Sequence, residues 1–149
     1  MLTARGTVRM EASSEAVWQV LTREASIRAW LGETPFAGTI VSDWTEGAAV
    51  AWEADGAGTY ATGTVLESRP GRALSFSVGE GDGEADVMTF GLEPDGSGTR
   101  LEVSYGDFDK EHGSDDEHDH EAQVGACKDM QDRVLPAWLA GIAAAATAA

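Results

Sequence analysis

Cysteine is almost missing from this chain of 149 residues: Cys127 stands alone. No internal disulfide can form, which argues against a cross-linked secreted scaffold. Long hydrophobic runs are missing too. No stretch approaches the ~18 apolar residues of a membrane span, and the opening MLTARGTVRMEAS has no apolar signal core. These absences set the expectation of a soluble, cytoplasmic protein. Basic residues are scarce, with ten Lys and Arg against 26 Asp and Glu and a formal charge of −16. The ten form no basic stripe, and so acidic a surface repels phosphates. Nucleic acid and anionic membranes are therefore excluded as expected partners. Catalytic signatures are lacking as well: there is no GxSxG elbow and no HExxH pair. No cofactor and no recognisable catalytic constellation are expected.

What is present reads as one domain, residues 2–146, large enough to bury roughly 68–70% of its unfolded surface. Thr3 to Glu11 alternates apolar and polar residues as a half-buried strand. Ser13 or Ser14 supplies an N-cap, with Glu15 in the first turn. Val17, Val20 and Leu21 follow at helical spacing beside Trp18. Arg23-Glu24-Ala25-Ser26 interrupts the pattern, and Ile27, Trp30 and Leu31 resume it as a second short helix. Gly32 is its expected C-cap, and Pro35 forbids continuation. Strand-and-turn patterning then covers Thr39–Trp44, Ala48–Glu53, Thr59–Ser68, Ala73–Val78, Asp86–Glu93 and Thr99–Tyr105. Asp95-Gly96-Ser97-Gly98 is a strong hairpin signal. Short turns between consecutive strands imply an antiparallel meander with one wet face.

From His120 to Ala149 the pattern becomes helical. Cys127, Met130, Val134, Trp138 and Ile142 share one face, and alanine dominates the last ten positions. Pro136 lacks an amide donor and predicts a kink between Val134 and Trp138. The order of strand, two short helices, six strands and a long helix is an α+β arrangement, with the last helix covering the apolar face of the sheet.

Three stretches resemble a known family: VRMEASSEAVWQVLTREASIRAWLG, GTVLESRPGRALSFSV and MTFGLEPDGSGTRLEVSYGDF. They are typical of the START-like, or SRPBCC, superfamily. In particular they resemble the group related to the C-terminal domain of the activator of the ninety-kilodalton heat-shock chaperone's ATPase. The resemblance implies a helix-grip fold, a curved antiparallel sheet wrapped around a long C-terminal helix with a cavity between them. Many members hold hydrophobic small molecules there, and some are cyclases or aromatases. The family has no universal catalytic residues to carry over. Related chains often have a Gly-Trp pair early in the final helix, where this one has Gly125-Ala126. That swap would enlarge or reshape the pocket mouth.

Five tryptophans, Trp18, Trp30, Trp44, Trp52 and Trp138, stand out. Singly each reads as core, since an aromatic side chain buries ~150–250 Å². As a set on a sheet covered by one helix they favour a pocket, and ligand pockets of ~300–1,000 Å³ are lined mainly by such groups. The expected lining is Trp52, Phe76, Met88, Phe90, Tyr105, Met130, Val134 and Trp138, with the Tyr105 hydroxyl able to orient a ligand. The segment GDFDKEHGSDDEHDHEA carries all three histidines. Its spacing is poor for metal: His112 and His118 replace the Gly and Glu of a calcium loop, and His118 and His120 share no helix face. A solvated acidic segment is the reading, so no metal is expected, with His112, His118 and His120 as weak candidates. The glycine-rich stretches Gly56–Gly58 and Gly79–Gly83 precede strands, so they read as turns and not phosphate loops. Cys127 sits on the apolar stripe as a small hydrophobe.

The expected function is binding of a small hydrophobic or amphipathic molecule, lipid- or polyketide-like, between sheet and helix. Two alternatives remain. One is a cyclase- or aromatase-type enzyme using Tyr105, or an edge group such as Arg69, although arginines flanking Pro70-Gly71 read first as exposed turn residues. The other is a module that partners a heat-shock chaperone. A homodimer stays open.

Overall fold

A computed structural model of the chain describes residues 3–32, 38–56, 58–79, 86–106, 125 and 127–148. Alternation makes β1 (Ala4–Met10) a strand with its ends buried. Ser13 then caps α1 (Ser14–Thr22): its backbone is extended, and its hydroxyl accepts the Ala16 N–H at 3.1 Å. The four-residue break expected after α1 shrinks to Arg23 alone, because α2 runs over Glu24–Leu31. Glu24 and Ala25 are compatible with helix, and Glu24 in the first turn complements the dipole. Gly32 closes α2 at φ 58°, donating its N–H to Arg28 O.

The sheet has seven strands among the described residues, in the order β1-β7-β6-β5-β4-β3-β2. Besides β1 these are β2 (Gly38–Ser42), β3 (Ala49–Ala54), β4 (Gly58–Arg69), β5 (Ala73–Val78), β6 (Asp86–Asp95) and β7 (Gly98–Gly106). Every neighbouring pair is antiparallel. The hairpin expected at Gly96-Ser97 is present, with Asp95 paired to Gly98. The strand predicted over Thr39–Trp44 ends two residues early, at Ser42. Trp44 leaves the sheet at φ 56°.

Curvature concentrates in β4. Its pairing with β3 skips Tyr60, and its pairing with β5 skips Leu66. Each skipped residue is a bulge, which bends the strand and sharpens its twist. The second bulge also changes which residues face inwards. Val65 pairs with Phe76 and Ser68 with Leu74, and both partners are buried. Simple alternation from Val65 would have turned Glu67 inwards. Leu66, at the bulge, faces solvent at 53% exposure, and the bulge re-phases the residues after it so that Ser68 takes the inner face instead.

The C-terminal helix crosses this inner face. Residues 127–129 are helical, Met130–Val134 form a π-helical turn, and α3 (Leu135–Ala148) follows without interruption. The distortion expected around Pro136 takes the form of this π-helical turn, just ahead of the proline. Leu135 donates its N–H to Met130 O, five residues back. The wider turn makes room for a proline ring that would clash with the carbonyl four residues before it. Two glycines set how closely the helix sits. A Cβ on Gly6 would stand 2.7 Å from Leu139 Cδ1, and one on Gly141 would stand 3.0 Å from Trp30 Cα. The helix therefore lies against β1 at one glycine and against α2 at the other. Gln131 accepts the Arg5 N–H at 3.2 Å, tying the π turn to β1.

Val134, Trp138 and Ile142 of the predicted stripe are buried, while Cys127 and Met130 are partly so; Leu135, Leu139 and Ala146 widen it. Among the described residues the ion pairs are all exposed, including Arg28–Asp55 at 2.6 Å and Arg133–Asp129 at 2.8 Å. Screened by solvent, they matter less than this core.

Candidate functional site

The predicted lining residues come together as one buried layer. Trp52, Phe76, Met88, Phe90, Val134 and Trp138 are buried, and Tyr105 and Met130 are partly buried at the margin of the same cluster. The rings touch in sequence. Trp52 lies 6.3 Å from Phe76 and 6.1 Å from Trp138, and Phe76 lies 6.3 Å from Phe90. Trp30 joins edge-on to Phe90 at 6.2 Å and to Trp138 at 5.6 Å, and its Nε1 donates to Val20 O at 3.0 Å. These are ordinary aromatic contact distances. The Tyr105 hydroxyl stands 3.4 Å from Asp86 Oδ2, at the long end of hydrogen-bond range.

Trp44 leads from this layer to the surface. Its ring meets Phe76 edge-on at 5.3 Å, and the residue also lines an open cleft of about 710 Å³. Helix α1 contributes Trp18 and Thr22, the end of β2 contributes Ser42, and the β2–β3 connection supplies Asp43 to Glu46. Ser68 and Pro70 complete the wall from the end of β4. Trp18 and Thr22 are four residues apart, so they share a flank of α1 beside its buried Val17–Val20–Leu21 face. The Thr22 hydroxyl donates to Trp18 O at 2.9 Å.

The backbone at Trp44 is strained. A bulky residue at positive φ costs roughly 1–2 kcal/mol. Two serines hold it there. Ser42 Oγ accepts the Trp44 N–H at 3.1 Å, and Ser68 Oγ donates to Trp44 O at 2.7 Å. Ser68 reaches this position because of the Leu66 bulge. Ser68→Ala would leave a half-enclosed carbonyl without its donor. It is expected to cost about 1–2 kcal/mol in urea denaturation and to shift tryptophan emission to the red. A change below about 0.5 kcal/mol, the usual size of a neutral surface substitution, would show that Ser68 does not hold the turn.

Sequence patterning missed this cleft. Trp18 falls one position off the α1 core stripe, which is the available signal that it faces something else. Ser42 and Ser68 give none, since their roles depend on the strained turn and the bulge. Arg69, the predicted edge group, is 71% exposed at its side chain and pairs with Glu67 at 3.7 Å. The histidine-bearing segment, with His112, His118 and His120, lies outside the described residues, as does Ala126. Among the described residues, no group of three or more His, Cys, Asp and Glu could hold a metal ion. No helix there is long and apolar enough to cross a membrane.

Residues 11–133 match the family model described as Activator of Hsp90 ATPase homolog 1-like protein. Among curated proteins no sequence matches. Solved structures do. A Nitrosomonas europaea protein superposes at TM-score 0.72 with 13% identity, over 99% of this chain and 95% of its own. A Mesorhizobium loti protein does so at TM-score 0.71 with 20% identity, over 96% and 95%. The Aha1 dimer from Colwellia psychrerythraea gives TM-score 0.59 with 16% identity, over 89% and 98%. At these identities the likeness establishes the fold: a curled antiparallel sheet gripping a long C-terminal helix, as the sequence resemblance implied.

Proposed function

This chain belongs to the Activator of Hsp90 ATPase homolog 1-like family, and from that membership we propose that it reversibly binds a small hydrophobic or amphipathic molecule in the cleft that α1, the β2–β3 connection and the end of β4 form beside the buried aromatic layer. The observation that carries the reading is the cleft at Trp44. It falls within the ~300–1,000 Å³ typical of ligand sites, and the residue that lines it also touches the buried aromatic layer. An amphipathic molecule suits such a place. Its polar end would sit among Thr22, Ser42 and Thr45, and its apolar part against Trp18 and Trp44. The predicted layer of Trp52, Phe76, Phe90 and Trp138 would lie directly behind it.

The test is native mass spectrometry of the purified protein, followed by tryptophan fluorescence across a panel of lipids and aromatic compounds. A co-purified mass, or saturable quenching by one class, is the expected result. A constant apo mass with unchanged fluorescence across the panel overturns the reading.

The second reading is a chaperone-partner module. It is favoured by the family's own description and by the exposed apolar residues Val41, on edge strand β2, and Leu66. Titration with a ninety-kilodalton heat-shock chaperone would give saturable heat under this reading. With so acidic a protein that heat should weaken as salt rises. Sedimentation of the chain alone tests a homodimer.

A further inference from the structure

We propose that the molecule seated at the Trp18–Trp44 cleft is a cation, an organic ammonium carried on an apolar skeleton. The proposal rests on the ligand-binding reading above and names its ligand class. Among the described residues the charged side chains lining the cleft are two carboxylates, Asp43 and Glu46, and no Lys, Arg or His lines it. Among the described residues neither carboxylate makes an ion pair, and the arginines that do are committed elsewhere. Arg9 holds Glu11 and Asp95, Arg28 holds Asp55, Arg69 holds Glu67, Arg100 holds Glu93 and Arg133 holds Asp129. Arg23 and Arg72, close in the chain to the lining residues Thr22 and Pro70, form no ion pair with either carboxylate and do not line the cleft, so its negative charge is left for something from solution.

The neighbouring groups suit an ammonium better than a metal ion. Tryptophan is the side chain whose ring face best attracts an organic cation, within about 6 Å of its centroid. Two tryptophans line this cleft, and in Trp44 Ser42 and Ser68 hold the strained backbone while Phe76 packs against the ring. A fixed ring spares the ligand the entropy of ordering it. The volume of about 710 Å³ is far larger than one ion needs. Two carboxylates with no third Asp, Glu, His or Cys beside them among the described residues are also a poor cage for a divalent metal. An anionic ligand would meet both carboxylates and an overall charge of −16.

The test uses three compounds with one skeleton: 4-phenylbutyl-trimethylammonium, 4-phenylbutanol and 4-phenylbutyl sulfonate. Binding to the whole chain is followed by calorimetry and tryptophan fluorescence at low and physiological salt. The ammonium is expected to bind roughly tenfold tighter than the alcohol, and the sulfonate weakest. Asp43→Asn with Glu46→Gln should erase the preference while the alcohol still binds. Both residues are exposed, so the variant should fold, which circular dichroism checks. Glu102→Gln with Asp132→Asn removes the same charge at remote exposed positions and should leave the preference intact. If the alcohol matches the ammonium, or the remote variant loses as much as the cleft variant, the cation assignment is overturned while ligand binding stands. If none of the three binds, the assignment fails, and the apo mass then decides whether the broader reading fails with it.

Discussion

Trp138→Ala is expected to cost about 3–5 kcal/mol, the range for removing a large aromatic from a core. For a domain of this size that is a fall in melting temperature of roughly 6–20 °C. Trp138 is 2% exposed and stands where three parts of the fold converge. Its ring meets Trp30 of α2 at 5.6 Å and Trp52 of β3 at 6.1 Å, while its backbone belongs to α3. Truncation removes both ring contacts and leaves a hole that the sheet and the π turn cannot easily close. Urea denaturation with an unchanged m-value is the measurement. Trp138→Phe should recover part of the loss, because a smaller ring still reaches both partners. The size of the effect also bears on function. A layer with no slack gives a cost near the top of the range, whereas space beside Trp138 would let neighbours relax. A cost below about 1.5 kcal/mol, well under the usual range for losing a core aromatic, would mean that the layer is loosely filled around this residue.

Most of the architecture was legible because it depends on local chemistry. Ser13 could be read as a cap, Gly32 as a stop, and Gly96-Ser97 as a hairpin turn from residue type and spacing alone. The inward residues Leu74, Phe76 and Val78, and Met88, Phe90 and Leu92, follow from period-two alternation, and all six are buried. What escaped depends on contacts distant in sequence. Nothing around Leu66 announces a bulge, yet that bulge decides that Ser68, and not Glu67, turns inwards. Trp44 reads as the end of a strand, and only its tie to Ser68, 24 residues away, shows it as a strained turn. The aromatic layer was readable as a set but not as a packing. Residue type says that Trp52, Phe76 and Trp138 are apolar and inward, and it cannot say how closely their rings stack. The cleft needed all of these at once: a helix flank, a strained turn and a re-phased strand end.

Gly63→Ala is the sharper test of that re-phased strand. It is expected to cost about 3 kcal/mol, the upper end for forcing atoms into filled space. Gly63 lies on the inner side of β4 between buried Ala61 and Val65. A Cβ there would stand 1.7 Å from Ser77 O and 2.5 Å from Ser77 C. Both are backbone atoms, so no side-chain rotation relieves the clash, and β4 or β5 must move. The ladder is already unusual at this point. Thr62 pairs with Gly79 and Val65 with Phe76, while between them Ser77 Oγ accepts the Thr64 N–H at 2.9 Å. The serine hydroxyl stands in for a main-chain bond, and the missing Cβ of Gly63 lets the two strands close around it. Gly91 is the control, because a Cβ there meets nothing within 4 Å. Gly91→Ala should be neutral, or stabilising by up to ~1 kcal/mol, since glycine in a strand interior is entropically costly. Opening the sheet at Gly63 should also reach the cleft, because the same strand carries Ser68 to Trp44. Gly63→Ala is therefore expected to speed hydrogen exchange at Thr64 and Gly79 and to redden tryptophan emission, as Ser68→Ala does. If Gly63→Ala is as stable as Gly91→Ala, β4 does not hold the curl, and the link from glycine to bulge to serine to strained tryptophan is broken at its first step.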